Sequence, residues 1–295
     1  MNVLFKYNVD FSDIENGFPF LYEKRRRDSC FAIAYEENGT VTALRDHLGV
    51  VALYYRYVNN GIKFSNNLSD LIQKTDKVNQ KGVKYFLAFK TAKIYSPFEN
   101  IHLVPPGSVI KIDLKTKDVK CEYRYEFKKL KLANYSLVNL VGALDELFIN
   151  AVRRTVKYKT VGLYLSGGMD SALTGIYLKK LGIKVNAYTL LPWGKSGSET
   201  KYAEINSKVI GVDSHKFVSM NSANYDDLIS KVGILYKGPQ GDSAPLGITQ
   251  LWMSSSISKE DQVYGAQNAD TMTCSMQAQY YSYFLNFLPL WLKKE

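Results

Sequence analysis

Seven residues, Leu165-Ser166-Gly167-Gly168-Met169-Asp170-Ser171, bring together the groups that hold a polyphosphate. They follow an apolar run, Val161-Gly162-Leu163-Tyr164-Leu165, and lead into a helical pattern, Ala172-Leu173-Thr174-Gly175-Ile176-Tyr177-Leu178. A short buried strand, a Ser-Gly-Gly turn and a helix start form a phosphate-binding device. Glycines let the backbone approach an anion, and the unpaired N–H groups of the helix's first turn point at it. Ser166 and Ser171 add hydroxyl donors, and Asp170 places a carboxylate where a Mg²⁺ bridging ATP phosphates would sit. Neither G-x-x-x-x-G-K-[ST] nor G-x-G-x-x-G occurs in the chain, so the loop is of another kind.

The elements that must carry this loop can be placed from periodicity. Apolar strands at 161–165, 185–190, 216–218 and 262–264 alternate with helices, which implies an α/β fold with a parallel sheet. Ligands of such sheets lie at the carboxyl ends of the strands, where Ser166, Leu190 and Gly265 fall. A helix is expected over 137–156, with apolar Leu140, Leu144, Leu147 and Val152 on one side. Up to about residue 125 the pattern is different. Short strands at 31–35, 41–45, 53–58 and 109–112, a helix near 83–89 and turns at Asn38-Gly39, Asn59-Asn60-Gly61 and Pro106-Gly107 indicate a mainly β region. A charged junction at 126–131 separates the two halves, giving expected domains at 1–125 and 126–295.

The loop resembles the Ser-Gly-Gly-x-Asp-Ser pyrophosphate loop of the ATP pyrophosphatase superfamily, whose members cleave ATP between the α- and β-phosphates. The segments downstream of the loop are similar to those of asparagine synthetases. Glu199, Ala203, Gly211 and His215 match, in order, an acidic residue, a small helix residue, a helix-ending Gly and a His of that family. Gly238-Pro239-Gln240-Gly241-Asp242-Ser243-Ala244-Pro245 resembles its Glu-Pro-x-x-Asp-Pro-Ser segment, and Val263-Tyr264-Gly265-Ala266-Gln267-Asn268-Ala269-Asp270 sits in the region where it carries Ser-Gly-Glu-Gly-x-Asp-Glu. The N-terminal half is similar to class II glutamine amidotransferase domains, which precede the synthetase domain. Phe31-Ala32-Ile33-Ala34-Tyr35, Arg45-Asp46-His47-Leu48-Gly49 and Leu103-Val104-Pro105-Pro106-Gly107 carry that match. The implied fold is an ATP pyrophosphatase (adenine nucleotide α-hydrolase-like) domain preceded by a small, mainly β remnant of an N-terminal-nucleophile-type amidotransferase domain. The expected nucleotide residues are Leu165, Ser166, Gly167, Gly168, Asp170, Ser171, Thr189, Leu190 and Gly265. The resemblance implies Asp170 and Asp270 as a carboxylate pair for Mg²⁺, and Gln267 and Asp242 as catalytic positions.

The sequence also departs from the family. Glutaminase activity there needs a Cys directly after the initiator Met, where this chain has Asn2, and only about 30 residues precede Phe31. Arg45, Asp46 and His47 are therefore expected to support the fold, not to catalyse. The family's catalytic Glu aligns with Gln267, which cannot act as a general base. The chain ends at Glu295, so the Lys that relatives supply from a later helical stretch has no expected counterpart; Lys293 and Lys294 are poor substitutes.

Composition sets the outer limits. At 295 residues and 46% hydrophobic, the chain can bury two cores. Three scattered cysteines (Cys30, Cys121 and Cys274) and only three histidines argue against a disulfide framework or zinc site and for the cytoplasm. No apolar run is long enough to span a bilayer, and the start lacks a signal peptide's apolar core. The net charge of +10 fits attraction of ATP. The lysines are spread out and the one dense basic run, Lys24-Arg25-Arg26-Arg27, is short, which argues against nucleic acid. The aromatic tail at 280–292 is expected to be buried, either on its own domain or against another copy or a completing subunit.

The leading expectation is an ATP-dependent amide-forming ligase without its own glutaminase, using ammonia, an amine or a separate glutaminase. The alternatives are a non-catalytic relative that binds nucleotide or a partner, suggested by Gln267, and an adenylating enzyme of thiolation type, with Cys274 as the thiol.

Overall fold

The computed structural model describes residues 1–7, 9, 30–59, 61–89, 95–125, 136–191, 198–219 and 260–266. These fall into two units, the first running to Leu140 and the second beginning at Val141. In chain order the first unit holds β1 (Asn2–Tyr7), β2 (Ala32–Glu37), β3 (Thr40–Arg45), β4 (Tyr54–Val58), β5 (Gly61–Ser65), α1 (Gln80–Phe89), β6 (His102–Leu103), β7 (Ser108–Asp113) and β8 (Val119–Arg124).

The expected mainly β character is what the first unit shows. Five strands pair antiparallel in the order β1-β2-β3-β7-β8, and three more in the order β5-β4-β6. Asn38 and Gly39 both take positive φ, 52° and 76°, the geometry of a I′ turn that matches strand twist, and they close the β2–β3 hairpin. The first half of β2 is apolar because both of its faces are covered there. Ala32 and Ala34 pack with Leu53, Tyr55, Ile62, Phe64 and Val104, while Ile33 and the preceding Phe31 pack with Val9, Leu44 and Val109. β1 was not among the expected strands; it adds an edge to β2 with a register shift between Val3 and Phe5.

Arg45 and Asp46 hold this unit's turns. The guanidinium of Arg45 is fully buried and donates to the carbonyls of Val51 (2.6 Å), Val104 (2.9 Å) and Gly49 (2.7 Å). The Asp46 carboxylate accepts from the N–H groups of Val50 (2.9 Å) and Val51 (3.0 Å). Gly49 sits at φ +64°, and a Cβ there would lie 2.8 Å from the Pro106 ring, so the turn admits only glycine without displacement. A second buried pair joins Arg56 to Asp76, with contacts of 2.8 Å and 3.0 Å.

The chain continues with α2 (Leu137–Thr155), most of which belongs to the second unit, and then β9 (Thr160–Tyr164), α3 (Met169–Lys180), β10 (Lys184–Leu191), α4 (Ser198–Ile210), β11 (Ser214–Ser219) and β12 (Val263–Tyr264). All four strands run parallel, in the order β11-β10-β9-β12, as the alternation of strand and helix predicts. Val161, Leu163, Leu165, Val185 and Ala187 form its core with Tyr177 and Leu178 of α3 and Ile210 of α4.

The expected packing face of α2 needs correction. Val152 is buried, but Leu144 and Leu147 are 52% and 66% exposed. The stripe that packs is rotated toward Phe148, Ile149, Val152 and Val156. Tyr177 sets this rotation. Its ring stacks on Phe148 with centroids 5.6 Å apart, and its hydroxyl donates to Asp145 (2.8 Å). Apolar residues occur on more than one side of α2, so periodicity alone could not choose between them. Among the described residues no helix is long and apolar enough to cross a membrane.

Candidate functional site

The phosphate-type loop lies where the sequence puts it, between β9 and α3. Gly168 is the N-cap residue of α3, with extended φ −81° and ψ 155° and no side-chain cap. The first amides of the helix are thus not closed off by a capping side chain, and Asp170 stands exposed in the first turn. Ser166 and Gly168 are exposed, whereas Ser171 is buried beneath them.

Ser171 organises the loop from below. Its Oγ accepts from the Ser166 N–H (3.1 Å), lies 3.1 Å from the Ser166 Oγ, and reaches the Gly168 carbonyl at 3.2 Å. Ser166 Oγ in turn accepts from the Gly168 N–H (3.1 Å). The two hydroxyls therefore shape the turn as well as offering donors.

α4 packs directly on this turn. A Cβ on Gly167 would lie 2.8 Å from Tyr202 Cβ, 3.0 Å from the Glu199 carbonyl oxygen and 3.2 Å from Glu199 Cα. The glycine is there because a helix backbone occupies the space of a side chain. Asn206, one turn further on, donates to the Ser166 carbonyl at 3.3 Å. Glu199, Tyr202 and Asn206 lie at three- and four-residue spacing, one face of a helix.

The parallel register sets Leu165, Leu190 and Gly265 at neighbouring strand ends. Leu165 N–H donates to the Tyr188 carbonyl on β10 (2.9 Å), and β12 pairs with β9 through Val263 and Tyr264, immediately before Gly265. Thr189 is buried and turned inward. Its hydroxyl donates to the Leu165 carbonyl (2.6 Å) and meets His215 Nε2 at 2.8 Å. Burial holds the His215 pKa below its ordinary value, against a weaker opposing effect of Glu204. On the opposite face of β10, Tyr188 donates to Glu260, with both carboxylate oxygens at 2.9 Å, and Asn186 donates to Glu260 Oε1 at 2.7 Å. Burial, reinforced by Glu260, pushes the Tyr188 hydroxyl up to about 12, so it stays a neutral donor.

Of the expected site residues, the structure therefore gathers Leu165, Ser166, Gly167, Gly168, Asp170, Ser171, Thr189, Leu190 and Gly265 about one edge of the sheet. Asp242, Gln267 and Asp270 lie outside the described residues, as do Lys24–Arg27, Cys274 and the 280–292 tail. Among the described residues no group of three His, Cys, Asp or Glu side chains could hold a metal ion. Tyr202 and Asn206 were not anticipated. Their signal was the small Gly167 opposite a helix whose partner face only the tertiary packing reveals.

Comparison with known families gives two matches along the chain. Residues 23–126 match the glutamine amidotransferase domain and residues 143–283 match asparagine synthase. No curated protein sequence matches the chain. Among solved structures, a predicted subunit of tRNA methyltransferase from Methanocaldococcus jannaschii is 24% identical over 37% of this chain and 52% of its own, with a TM-score of 0.27. Glutamine-dependent NAD+ synthetase from Acinetobacter baumannii, in complex with ADP, is 15% identical over 60% of this chain and 33% of its own, with a TM-score of 0.34. The chain thus spans about half and a third of those two proteins. A glutamine amidotransferase domain followed by an asparagine synthase domain is the order expected from the sequence, and the chain is asparagine synthetase-related.

Proposed function

We propose that the chain is an ATP-dependent, AMP-forming carbon–nitrogen ligase whose second domain, 126–295, adenylates a small-molecule carboxylate and passes it to ammonia or an amine. The observation that carries this reading is the loop at 165–171: a glycine turn, two hydroxyls and an uncapped helix start at the carboxyl end of a parallel strand, with Asp170 exposed beside them.

The residues supply donors in the right order for this reaction. The substrate carboxylate forms a bond to the α-phosphorus as the bond to the β-phosphate oxygen breaks. Pyrophosphate then leaves onto the amides and hydroxyls of Ser166, Gly167, Gly168 and Ser171. Nitrogen next bonds to the acyl carbon and releases one proton to the departing AMP phosphate as the acyl–oxygen bond to AMP breaks. Leu190 and Gly265, at the neighbouring strand ends, line the adenosine side, and Thr189 braces the Leu165 carbonyl behind the loop. The donor set at the loop is all oxygen and includes an exposed carboxylate, which suits a hard divalent cation. Mg²⁺ held by Asp170 and Asp270 would neutralise phosphate charge. Asp242 and Gln267 are the proposed catalytic positions, with Gln267 limited to hydrogen bonding.

ATP–pyrophosphate exchange against a panel of carboxylates that includes aspartate tests this directly. A carboxylate that stimulates exchange identifies the acceptor. Mg·ATP binding with no exchange for any carboxylate would leave a nucleotide-binding relative without ligase chemistry.

A further inference from the structure

We propose that His215 is a positioning residue for the phosphate loop, acting through Thr189 to fix the peptide group between Leu165 and Ser166. This rests on the nucleotide-loop reading and deepens it. The three groups form a chain across three parallel strands: His215 Nε2 lies 2.8 Å from Thr189 Oγ1, and Thr189 Oγ1 lies 2.6 Å from the Leu165 carbonyl oxygen.

Proton counting sets the direction of the chain. The threonine hydroxyl has one proton, and the Leu165 carbonyl can only accept, so that proton goes to Leu165. The contact to His215 is then left for an N–H, which puts the imidazole proton on Nε2. The opposite tautomer would leave two lone pairs facing each other at 2.8 Å. Phe217, with its ring centroid 4.4 Å from that of His215, holds the ring in place.

The consequence falls on the loop. The peptide group is planar, so a carbonyl aimed at Thr189 fixes the Ser166 N–H in the opposite direction. That N–H is the first amide of the loop, and it meets Ser171 Oγ at 3.1 Å. From the other side Asn206 holds the next carbonyl, that of Ser166. The loop's entry peptide is thus aligned by β10 and β11 and its second by α4. A buried threonine needs only one hydrogen bond to be satisfied. The additional histidine donor gives orientation, because it removes the freedom of the hydroxyl to turn away from Leu165.

Four variants of the full chain test this: His215→Ala, His215→Gln, Thr189→Ser and Thr189→Val. Gln places an amide N–H near the position of Nε2. With nitrogen-15 labelling, the wild-type His215 should show its proton on Nε2, and His215→Ala should shift the Ser166 amide resonance while leaving the melting temperature of the unit in place. By calorimetry, His215→Ala and Thr189→Val should weaken Mg·ATP binding by about three- to tenfold, one neutral hydrogen bond's worth. His215→Gln and Thr189→Ser should restore it. A proton on Nδ1, an unmoved Ser166 amide in His215→Ala, or a folded Gln variant as impaired as Ala overturns the proposal. If the wild type binds no Mg·ATP, the nucleotide reading fails, and the tautomer and the Ser166 amide alone decide the role of His215.

Discussion

Replacing Gly167 with alanine is the sharpest physical test of how α4 and the loop are joined. The new Cβ would sit 2.8 Å from Tyr202 Cβ and 3.0 Å from the Glu199 carbonyl oxygen. Neither is the free end of a side chain, so neither can swing aside. Carbon atoms are at ease at about 3.5–4.0 Å, so the first two turns of α4 must retreat by roughly 0.7–1.2 Å, or the loop must. Overpacking of this kind costs about 1–3 kcal/mol. Removing a glycine stiffens the unfolded chain and returns about 0.4–1 kcal/mol. A net loss near 1.5 kcal/mol lowers the melting temperature of a unit this size by roughly 3–6 °C.

Gly175→Ala is the control. Its Cβ would meet Leu163 Cδ2 at 2.9 Å and Ile210 Cδ1 at 3.1 Å, which are methyl ends that can shift slightly. Alanine also favours the helix interior by about 1 kcal/mol over glycine. Gly175→Ala should therefore stay within about 1 kcal/mol of wild type. Differential scanning of both variants separates them. A Gly167→Ala protein as stable as wild type, or more stable than Gly175→Ala, would show that α4 does not press on the loop. Mg·ATP calorimetry on the same samples should show weaker binding in Gly167→Ala, because displacing the loop moves its amides.

The same geometry fixes other outcomes. Asp170→Ala and Ser166→Ala should each weaken Mg·ATP binding, by up to about 3 kcal/mol where the lost contact is charge-assisted; calorimetry with unchanged affinity in both would remove the phosphate-loop assignment. Arg45→Met leaves the carbonyls of Val51, Val104 and Gly49 without this donor, and should cost the first unit about 3 kcal/mol or more in urea melts. Hydrogen bonding from Arg56, then from the Gln73 N–H, holds the Asp76 carboxyl below its ordinary value. Its folded-state value lies under its unfolded one, so the pair's full stabilisation is present above about pH 4 and is lost as pH falls through the depressed value. Asp76→Asn should lower stability at neutral pH and flatten the acid limb of the stability profile; an acid limb identical to wild type would refute this.

What the sequence disclosed and what it withheld divide along a physical line. The Ser-Gly-Gly turn, the parallel strands and the hairpin at Asn38-Gly39 are local: each rests on residues adjacent in the chain whose conformational needs are strong. The strand-end positions Leu190 and Gly265 follow from topology, because parallel strands place their carboxyl ends together. The packed side of α2 was misjudged because its rotation is chosen by Tyr177, which lies on another helix and binds Asp145. Arg56 and Asp76 lie twenty residues apart, and no local pattern announces their pairing. Asn206 and Tyr202 looked like ordinary helix residues until α4 was seen against Gly167.

Thr189 shows the same division within a single residue. Its place at a strand end was legible, and it was expected to face the nucleotide. Its hydroxyl is instead spent on the Leu165 carbonyl and the His215 ring, both within the protein. A buried hydroxyl with both contacts shorter than 3 Å has no proton left for a ligand, so any contribution of Thr189 to binding must pass through the orientation of the loop. Ser166 differs in being exposed, with its Oγ held by the Gly168 amide and by Ser171. On the proposed function, an arriving phosphate would exchange those contacts for its own oxygens at little cost, because each donor trades one acceptor for another. The loop thus combines a mouth whose hydrogen bonds are replaceable with a base whose hydrogen bonds are not. On the proposed function, that arrangement would let a short glycine turn keep one shape before and after an anion enters.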